Sequence, residues 1–204
     1  MSRVLGEPKG KGAPFSKRKL EVLKAAAKLF NERGFHSATM DDIAAVLNVT
    51  KPALYYYASS KDELLFEVGS MALRETTKVL DSISLQEHSP VESLQRFFIS
   101  WTESICKEFG RCLVLTKPEL LEPASRKTSK LSRRKIHQQV TAIVQSGIDD
   151  GSIKECSAEL MSLALFDLFN GITYWYKPTG PKTPTEIAEE YWRNFGAGFL
   201  NDAQ

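Results

Sequence analysis

A run of hydroxyl, ammonium and phenol groups near the end of the first third of the chain is the densest set of side chains that could bind a polyanion. Its members are Thr50, Lys51, Tyr55, Tyr56, Tyr57 and Lys61. Such groups donate hydrogen bonds to phosphate oxygens and base edges, the contacts that orient a protein on DNA and read its sequence. Pro52 and Ala53 add small apolar surface that suits thymine methyl groups. The pattern predicts nucleic-acid binding, although a plain helical hairpin with half-buried tyrosines would have the same pattern.

Side chains that could carry out catalysis or hold a metal are few and scattered. None of the three histidines, His36, His88 and His137, stands in a recognisable catalytic or metal-binding spacing with a cysteine or carboxylate. The sequence also lacks a glycine-rich phosphate loop, a G-x-S-x-G motif and an H-E-x-x-H motif. We therefore expect no catalytic residues, no metal, no cofactor and no enzyme activity. The alternative is a small all-α enzyme that acts on an apolar substrate.

The surrounding residues place this run on a helix-turn-helix of about residues 39–58. Apolar residues at positions 43, 44 and 47 fall on one helical face, and Thr39 is a suitable cap for that helix. Asn48 follows, and asparagine tolerates the left-handed conformation that ends a helix. Thr50 is a good N-cap for the second helix. The S-x-x-E spacing of residues 60–63 is that of a capping box, which predicts a third, longer helix.

Residues 19–68 resemble the DNA-binding domain of the TetR family of bacterial transcriptional regulators. The matching positions are Ala26-Ala27-x-Leu29-Phe30-x-x-x-Gly34-Phe35, Thr39, Ile43-Ala44, Val49-Thr50-Lys51-x-x-Leu54-Tyr55-Tyr56 and Lys61-x-x-Leu64. The resemblance implies that Tyr55, Tyr56 and Lys61 meet the phosphate backbone of an operator. It also implies a DNA contact for Tyr57, which stands where the family often has a contacting histidine.

Three positions depart from the family's usual residues. Met40 stands where a threonine often contacts the backbone of DNA, and methionine cannot donate a hydrogen bond. We nevertheless include Met40 among the candidate contacts. Asn48 replaces a usual glycine, a conservative change in conformation. Ala58 replaces a usual Phe or Tyr, which predicts looser packing behind the recognition helix.

The distribution of charge divides the chain into two parts. Residues 1–66 carry eleven Lys or Arg against seven Asp or Glu, whereas residues 67–204 carry sixteen against eighteen. A basic first third beside a slightly acidic remainder suits a DNA-binding head on a regulatory body. We therefore expect a flexible basic tail at 1–15, a DNA-binding domain at 16–66 and an effector-binding and dimerisation domain at 67–204. In the tail, Arg3, Lys9 and Lys11 would either lie along DNA or remain solvated.

The composition is that of an ordinary soluble protein, with 42% hydrophobic and 25% charged residues. Cys106, Cys112 and Cys156 are odd in number and form no C-x-x-C pair, so we expect small core residues in a reducing compartment. The N-terminus lacks the apolar region of a signal peptide, and no apolar run approaches the length of a transmembrane helix. We therefore expect a cytoplasmic protein that does not contact a membrane.

Helical periodicity and helix caps continue along the rest of the chain. They predict an all-α protein of about nine helices, with a three-helix head and a C-terminal helical bundle. The first helix should cover about 16–33 and the third about 60–82. Capping-box spacings at Ser89 and Thr183 begin two further helices, and Gly110 and Pro118 should interrupt the first of these. A long helix should run from about 125 to 150 and stop at Gly151.

The C-terminal region resembles one TetR subgroup through Trp175-Tyr176-x-Pro178-x-Gly180-x-x-x-Pro184-x-Glu186-Ile187-Ala188. Members of that subgroup often respond to acyl-CoA thioesters, so the resemblance implies a small apolar or acyl-CoA effector. The candidate effector residues are an aromatic set and two cations of the basic run 126–135, namely Phe97, Phe98, Trp101, Phe166, Phe169, Trp175, Arg133 and Arg134. The aromatic residues could equally be plain core, and the basic run a solvated helix face.

The predicted assembly is a homodimer on double-stranded DNA. The candidate dimer residues lie in the last helices and are Ile172, Trp192, Gly196 and Gly198. Two symmetric heads would read a pseudo-palindromic operator. The predicted function is a ligand-responsive repressor that the effector releases from its operator, with a helix-turn-helix activator as the alternative.

Overall fold

The computed structural model describes residues 13–83 and 88–201, with side chains from residue 16 onward. Within these ranges the ordered structure is helical apart from one isolated bridge between Ile153 and Leu200. The α-helices are α1 (Ala13–Arg33), α2 (Met40–Val46), α3 (Lys51–Tyr55), α4 (Lys61–Ser82), α5 (Pro90–Ile105), α6 (Glu108–Leu115), α7 (Pro123–Asp149), α8 (Ala158–Asn170), the one-turn α9 (Ile172–Trp175) and α10 (Pro184–Phe199). A short 3₁₀ helix, Pro118–Leu120, lies between α6 and α7. The all-α prediction is confirmed, and Arg3, Lys9 and Lys11 lie outside the described residues. No described helix combines the length and apolar composition needed to cross a bilayer.

Side-chain caps fix where several helices begin. At α2 the Thr39 hydroxyl accepts the N–H of Asp42 at 3.1 Å, and the Asp42 carboxylate accepts the N–H of Thr39 at 2.9 Å. Boxes of the same kind begin α5 at Ser89 and α10 at Thr183, as predicted. The hydrogen bonds from Thr39 hold the pKa of Asp42 below its usual range. The contribution of this cap to the free energy of unfolding is therefore present above the pKa of Asp42 in the unfolded chain, and it is lost as the pH falls through the lowered pKa of the folded state.

The predicted helix break at Gly110 is wrong. The chain leaves α5 at Cys106, and Gly110 lies inside α6. A Cβ on Gly110 would stand 2.1 Å from the backbone oxygen of Ser104 and 2.8 Å from the backbone nitrogen of Ile105. The glycine therefore lets α6 fold back closely against the end of α5, which is a packing role. A glycine that breaks a helix and a glycine that permits a close approach look alike in a sequence.

Two groups of buried apolar side chains organise the described residues. The head core is built by α1, α2, α3 and the first part of α4, and Cys112 and Leu121 also reach it. The body core is built by the second part of α4 together with α5, α6, α7, α8, α9 and α10. Because α6 supplies Leu113 to the body core and Cys112 to the head core, this short helix contacts both groups.

The long helix α4 contributes to both cores, and α7 runs beside it in the same direction. Near one end the backbone N–H of Glu122 donates to the carboxylate of Asp62 at 2.8 Å. Near the other end the amide of Gln139 donates to the carboxylate of Asp81 at 3.4 Å. Ser60 caps α4 by accepting the N–H of its third residue, as predicted. A displacement of α4 within the body would therefore reach the head directly.

The three cysteines have different surroundings. Burial raises the pKa of the Cys106 and Cys112 thiols to about 11, so both remain protonated at neutral pH and act as small apolar groups. Cys156 is exposed in the loop before α8, so the prediction that it is a core residue is wrong.

Candidate nucleic-acid interface and cavities

The turn between α2 and α3 presents α3 to solvent. Asn48 adopts the left-handed conformation with φ of 52°, as its residue type predicted. The N–H of Val49 then donates to the carbonyl of Ala44 at 3.0 Å, which closes the turn. Thr50 caps α3, its hydroxyl accepting the N–H of Ala53 at 3.4 Å. Only one side of the five-residue α3 faces the head core, so the opposite side is free to meet a ligand.

The outer side of α3 carries most of the side chains predicted to contact DNA. The exposed residues there are Thr50, Lys51, Pro52, Ala53, Tyr55 and Tyr56, and Tyr57 is half-buried. The rings of Tyr56 and Tyr57 meet edge to face, with centroids 5.2 Å apart. Leu54 and Ala58 point into the head core and are buried. These hydroxyl, ammonium and aromatic groups therefore form one surface, hereafter the α3 surface, on α3 and the residues that flank it.

Lys51 already has an anionic partner on this surface. Its ammonium lies 2.8 Å from the carboxylate of Asp41, and both side chains are exposed to solvent. The hydrogen bond that Lys51 donates to this carboxylate, together with the negative charge of Asp41, raises the pKa of Lys51. A phosphate that binds Lys51 must therefore compete with Asp41, and an exposed pair of this kind is weak enough to exchange.

Two residues near α2 depart from the predicted interface. Met40 is only 9% exposed and packs in the head core. The prediction that Met40 contacts DNA is therefore corrected, because its apolar side chain is held on the inner side of α2. Thr39 is exposed, but its hydroxyl is engaged with Asp42 in the helix cap.

Lys61 has a structural environment that the sequence did not predict. Its ammonium donates to the carbonyls of Phe35 at 2.7 Å, Ala38 at 2.9 Å and His36 at 3.3 Å. It also lies 4.4 Å from the centroid of the Phe35 ring. An ammonium has three N–H donors, and three carbonyls of the loop between α1 and α2 account for all of them. Lys61 therefore fastens that loop to the start of α4, and a phosphate would have to displace one of these carbonyls.

This geometry gives a testable expectation for Lys61→Met, which keeps the apolar stem and removes the ammonium. We expect the free energy of unfolding to fall by about 1–3 kcal/mol, since the loop carbonyls lose a charged donor. The slope of log affinity against log salt on DNA should not change, because no phosphate contact is removed. The comparison variant is Lys51→Met, which should leave stability nearly unchanged and lower the slope by about one. If Lys61→Met is as stable as the unsubstituted protein and lowers the slope of log affinity against log salt, Lys61 binds phosphate.

The predicted aromatic effector residues of the body form one cluster. Ring centroids lie 5.0 Å apart for Phe97 and Phe98, 6.3 Å for Phe97 and Trp101, and 4.6 Å for Phe98 and Phe169. Phe166 joins the rings of Phe97, Phe98 and Trp101. A cleft between α4 and α5, hereafter the α4–α5 cleft, has Phe97 and Trp101 among its lining residues. Two of the predicted residues therefore line a cavity, whereas the other three pack behind them.

The basic run of α7 does not supply cations to this cleft. Arg133 donates to the carbonyl of Leu113 at 2.8 Å, in a separate narrow gap between α4, α6 and α7. Burial lowers the pKa of the Arg133 guanidinium. Arg134 is exposed and lies in a groove on the outer side of α7. Trp175 is half exposed and lies beside Tyr191 instead of the cleft. The expectation that Arg133, Arg134 and Trp175 share a site with Phe97 is therefore corrected.

The predicted dimer residues are mostly inside the chain's own core. Ile172, Trp192 and Gly196 are buried, and a Cβ on Gly196 would stand 3.2 Å from the Leu200 side chain. Gly198 alone among the four is exposed. The assignment of Ile172, Trp192 and Gly196 to a dimer surface is therefore corrected, because these residues already pack within one chain.

A different apolar surface on the same helices is open to solvent. Its members, hereafter the α8–α10 patch, are Leu160, Leu163, Tyr174, Trp175 and Phe195. On α8 the two exposed leucines lie opposite the buried face that holds Leu165 and Phe169. A helix that is apolar all round is normally buried on both sides. That signal is present in the sequence of α8 and could have identified the patch.

Comparisons with known proteins cover both parts of the chain. Residues 22–68 match the family described as "Bacterial regulatory proteins, tetR family", and residues 87–199 match "Tetracyclin repressor-like, C-terminal domain". The chain is 28% identical over 181 residues to "Uncharacterized HTH-type transcriptional regulator YhgD" of Bacillus subtilis, which covers 84% of this chain and 91% of that protein. It is 26% identical over 195 residues to the "HTH-type transcriptional repressor KstR2" of Mycobacterium tuberculosis, which covers 94% of each.

Two solved structures share the fold. The ketosteroid transcriptional regulator KstR2 of Mycobacterium tuberculosis superposes with a TM-score of 0.81 at 22% identity, covering 98% of this chain and 100% of that one. AibR, solved in complex with isovaleryl coenzyme A and operator DNA, superposes with a TM-score of 0.75 at 21% identity, covering 85% of this chain and 95% of that one. The likeness in fold therefore extends over nearly the whole of each compared chain.

Proposed function

The chain belongs to the TetR family of bacterial regulatory proteins, and we propose that it is a homodimeric repressor released from a pseudo-palindromic operator by a small apolar or acyl-thioester ligand. Proteins of this family are DNA-binding transcriptional regulators, and this chain is one of them. The observation that carries the proposal is the α3 surface, which sets hydroxyl, ammonium and aromatic groups on the outer side of a helix-turn-helix. A helix of this kind fits the major groove, where such groups reach bases and phosphates.

We assign the two functions, DNA binding and effector binding with dimerisation, to the parts of the chain that hold the two cores. Residues 16–66 include most of the head core and the whole α3 surface, and we assign DNA binding to them. Residues 67–204 include the body core, the α4–α5 cleft and the α8–α10 patch, and we assign effector binding and dimerisation to them. A dimer would hold two heads about one helical turn of DNA apart, roughly 34–36 Å, so that both enter successive major grooves on one side of the duplex.

The effector class is supported by the cleft and by similarity. The α4–α5 cleft has aromatic rings at its inner end, which suits an apolar ligand. KstR2, a similar protein over nearly its full length, is described as a repressor, and AibR was solved with isovaleryl coenzyme A. A ligand in the cleft would contact α4, which leads into the head, and would favour a conformer whose two heads no longer match the operator. Because coupling is reciprocal, operator DNA would weaken ligand binding by the same factor.

The charge pair at the start of α3 provides a test of the DNA-binding surface. Asp41→Asn removes the anionic partner of Lys51 and one negative charge that faces the DNA. We expect affinity for operator and for unrelated DNA to rise by about threefold to tenfold at low salt, with a smaller gain at high salt. The measurement is fluorescence anisotropy over a series of salt concentrations. Substitution of Thr50 or Lys51 should additionally change which operator variants are preferred, since these residues begin the recognition helix.

The matched control is Asp81→Asn, which removes a carboxylate from the far end of α4. This variant should bind DNA like the unsubstituted protein. If Asp41→Asn and Asp81→Asn have equal effects, the α3 surface is not the DNA interface. Footprinting together with in vitro transcription distinguishes repression from activation on the same template, and turnover of an acyl thioester would instead support the enzyme alternative.

A further inference from the structure

The segment that joins α3 to α4 is held at both of its ends. On the α3 side, the carbonyl of Tyr57 accepts a hydrogen bond from the ammonium of Lys19, which lies on α1. On the α4 side, the backbone N–H and the hydroxyl of Ser59 each donate to the Glu63 carboxylate at 2.6 Å. Because Tyr57 directly follows the C-cap of α3 and belongs to the α3 surface, the bond from Lys19 fixes the place where that surface ends.

Lys19 has a second partner on α4. Its ammonium lies 2.9 Å from the carboxylate of Glu67 and 4.0 Å from that of Glu63, and the Lys19 side chain is only 15% exposed. Burial raises the pKa of the Glu67 carboxyl, and the hydrogen bond from Lys19 opposes that shift. An ion pair that is partly shielded from water is stronger than one on an open surface. Lys19 therefore ties α1 and the end of α3 to the second turn of α4.

The other described lysines of α1 have a different environment. Lys17 and Lys24 are exposed. Lys28 is 4.0 Å from Glu32 on the same helix, and both of these side chains are more than half exposed. An exposed pair of this kind adds little to stability and holds no other helix in place. Lys28 therefore matches Lys19 in helix and in charge but not in what it contacts.

Two kinds of DNA binding place different demands on the α3 surface. Attraction to phosphates depends mainly on the number of positive charges and is the same for every sequence. Recognition of base edges requires each side chain to stand at the correct place in the major groove. A change that releases the end of α3 would therefore weaken recognition of one sequence and leave the general attraction to DNA in place.

We propose that Lys19 is a positioning residue for operator recognition, which holds the Tyr57 end of α3 against Glu67 of α4 and does not itself contact DNA. This inference rests on the proposed function and adds to it a residue that lies outside the α3 surface. Without the Lys19 ammonium, every group of the α3 surface is still present. The end of α3 that carries Tyr56 and Tyr57, however, loses a bond that fixes it to α1 and α4.

The experiment compares two DNA duplexes, one that the unsubstituted protein selects from a random pool and the same duplex with its base order scrambled. Fluorescence anisotropy gives the affinity of the full-length protein for each duplex, and the ratio of the two affinities measures recognition. The test variant is Lys19→Met, which keeps the apolar stem and removes the ammonium. The matched control is Lys28→Met, which removes the same charge from the same helix.

Two further variants keep the test decisive where Lys19→Met is too unstable to measure. Lys19→Arg restores a charged donor for both the Tyr57 carbonyl and the Glu67 carboxylate. Glu67→Gln removes the negative charge that holds Lys19 and leaves an amide oxygen that still accepts a hydrogen bond. Urea unfolding of each variant shows that it is folded under the conditions of the binding measurement.

We expect Lys19→Met to lower the affinity ratio by at least about tenfold, since a displaced side chain loses a specific base contact. Glu67→Gln should lower the ratio by about threefold, because a neutral acceptor holds an ammonium less firmly than a carboxylate does. Lys28→Met should change the ratio by less than about twofold, since its pair is exposed. Lys19→Arg should keep most of the ratio.

An equal loss of affinity for both duplexes in Lys19→Met would overturn the inference. A smaller fraction of folded protein or a lost phosphate contact weakens binding to every sequence alike, and the salt slope falls by about one only in the second case. Equal effects of Lys19→Met and Lys28→Met on the ratio would overturn it as well. If the unsubstituted protein selects no duplex from the pool, operator-specific repression fails, and this inference fails with it.

Discussion

Leu163→Glu is expected to separate the dimer into monomers and to reduce operator affinity by at least about a hundredfold, because a single head makes too few contacts for tight binding. Leu163 is 45% exposed on α8 and belongs to the α8–α10 patch, which also exposes Phe195 on α10. Several large apolar side chains exposed on neighbouring elements are typical of a surface that another molecule covers. Burying a carboxylate in it without a partner would strongly oppose association. Sedimentation velocity and operator binding report the two effects independently.

The control for this prediction is Leu131→Glu. Leu131 is 59% exposed on the outer side of α7, among basic residues and outside the patch. This variant should remain dimeric and should bind its operator. If Leu163→Glu still sediments as a dimer, or if a monomeric variant protects a full palindrome, the α8–α10 patch is not the interface. Substitutions at Gly196 are unsuitable for this test, since that residue packs against the side chain of Leu200 within one chain.

The features that could be predicted from the sequence are those governed by neighbouring residues. The capping boxes at Thr39, Ser89 and Thr183 join a hydroxyl and a carboxylate three residues apart, so the spacing indicates them. At Ser60 the same spacing gives the side-chain cap alone, because the Glu63 carboxylate accepts hydrogen bonds from Ser59 instead. Asn48 was identifiable because few residue types adopt positive φ. The helix-turn-helix and the all-α class follow from such local rules, and so does the outer side of α3.

The features that could not be predicted depend on which parts of the chain meet. Helical periodicity marks Trp192 and Phe195 alike as apolar positions of α10, but only the fold decides that Trp192 is buried and Phe195 is exposed. Lys61 binds carbonyls 23 to 26 residues earlier in the chain, a contact that no spacing rule encodes. Lys24 and Lys107 are far apart in the sequence and line the same groove only because α6 packs on α1.

Gly110→Ala is expected to destabilise the protein by about 3 kcal/mol or more, because the added Cβ overlaps backbone atoms that cannot move independently. The backbone oxygen of Ser104 would stand 2.1 Å from that Cβ, and real Cβ contacts under 3.0 Å are essentially absent from proteins. Relief of the overlap requires α6 to move away from the end of α5. Since α6 packs on both α1 and α4, the shift would also weaken operator binding. Urea unfolding measures the change in stability, and anisotropy measures the change in affinity.

Gly69→Ala is the matched control, because Gly69 also lies within a helix but has space around it. A Cβ there would meet only the end of the Leu113 side chain, at 3.4 Å. Alanine favours the helical state over glycine by about 1 kcal/mol, so this variant should be as stable as the unsubstituted protein or slightly more stable. The two glycine substitutions are therefore expected to change the free energy of unfolding in opposite directions. If Gly110→Ala unfolds at the same urea concentration as Gly69→Ala, the position of α6 does not depend on close contact with α5. The contact between α6 and α5 would then not oppose a displacement of α6 that reaches the head.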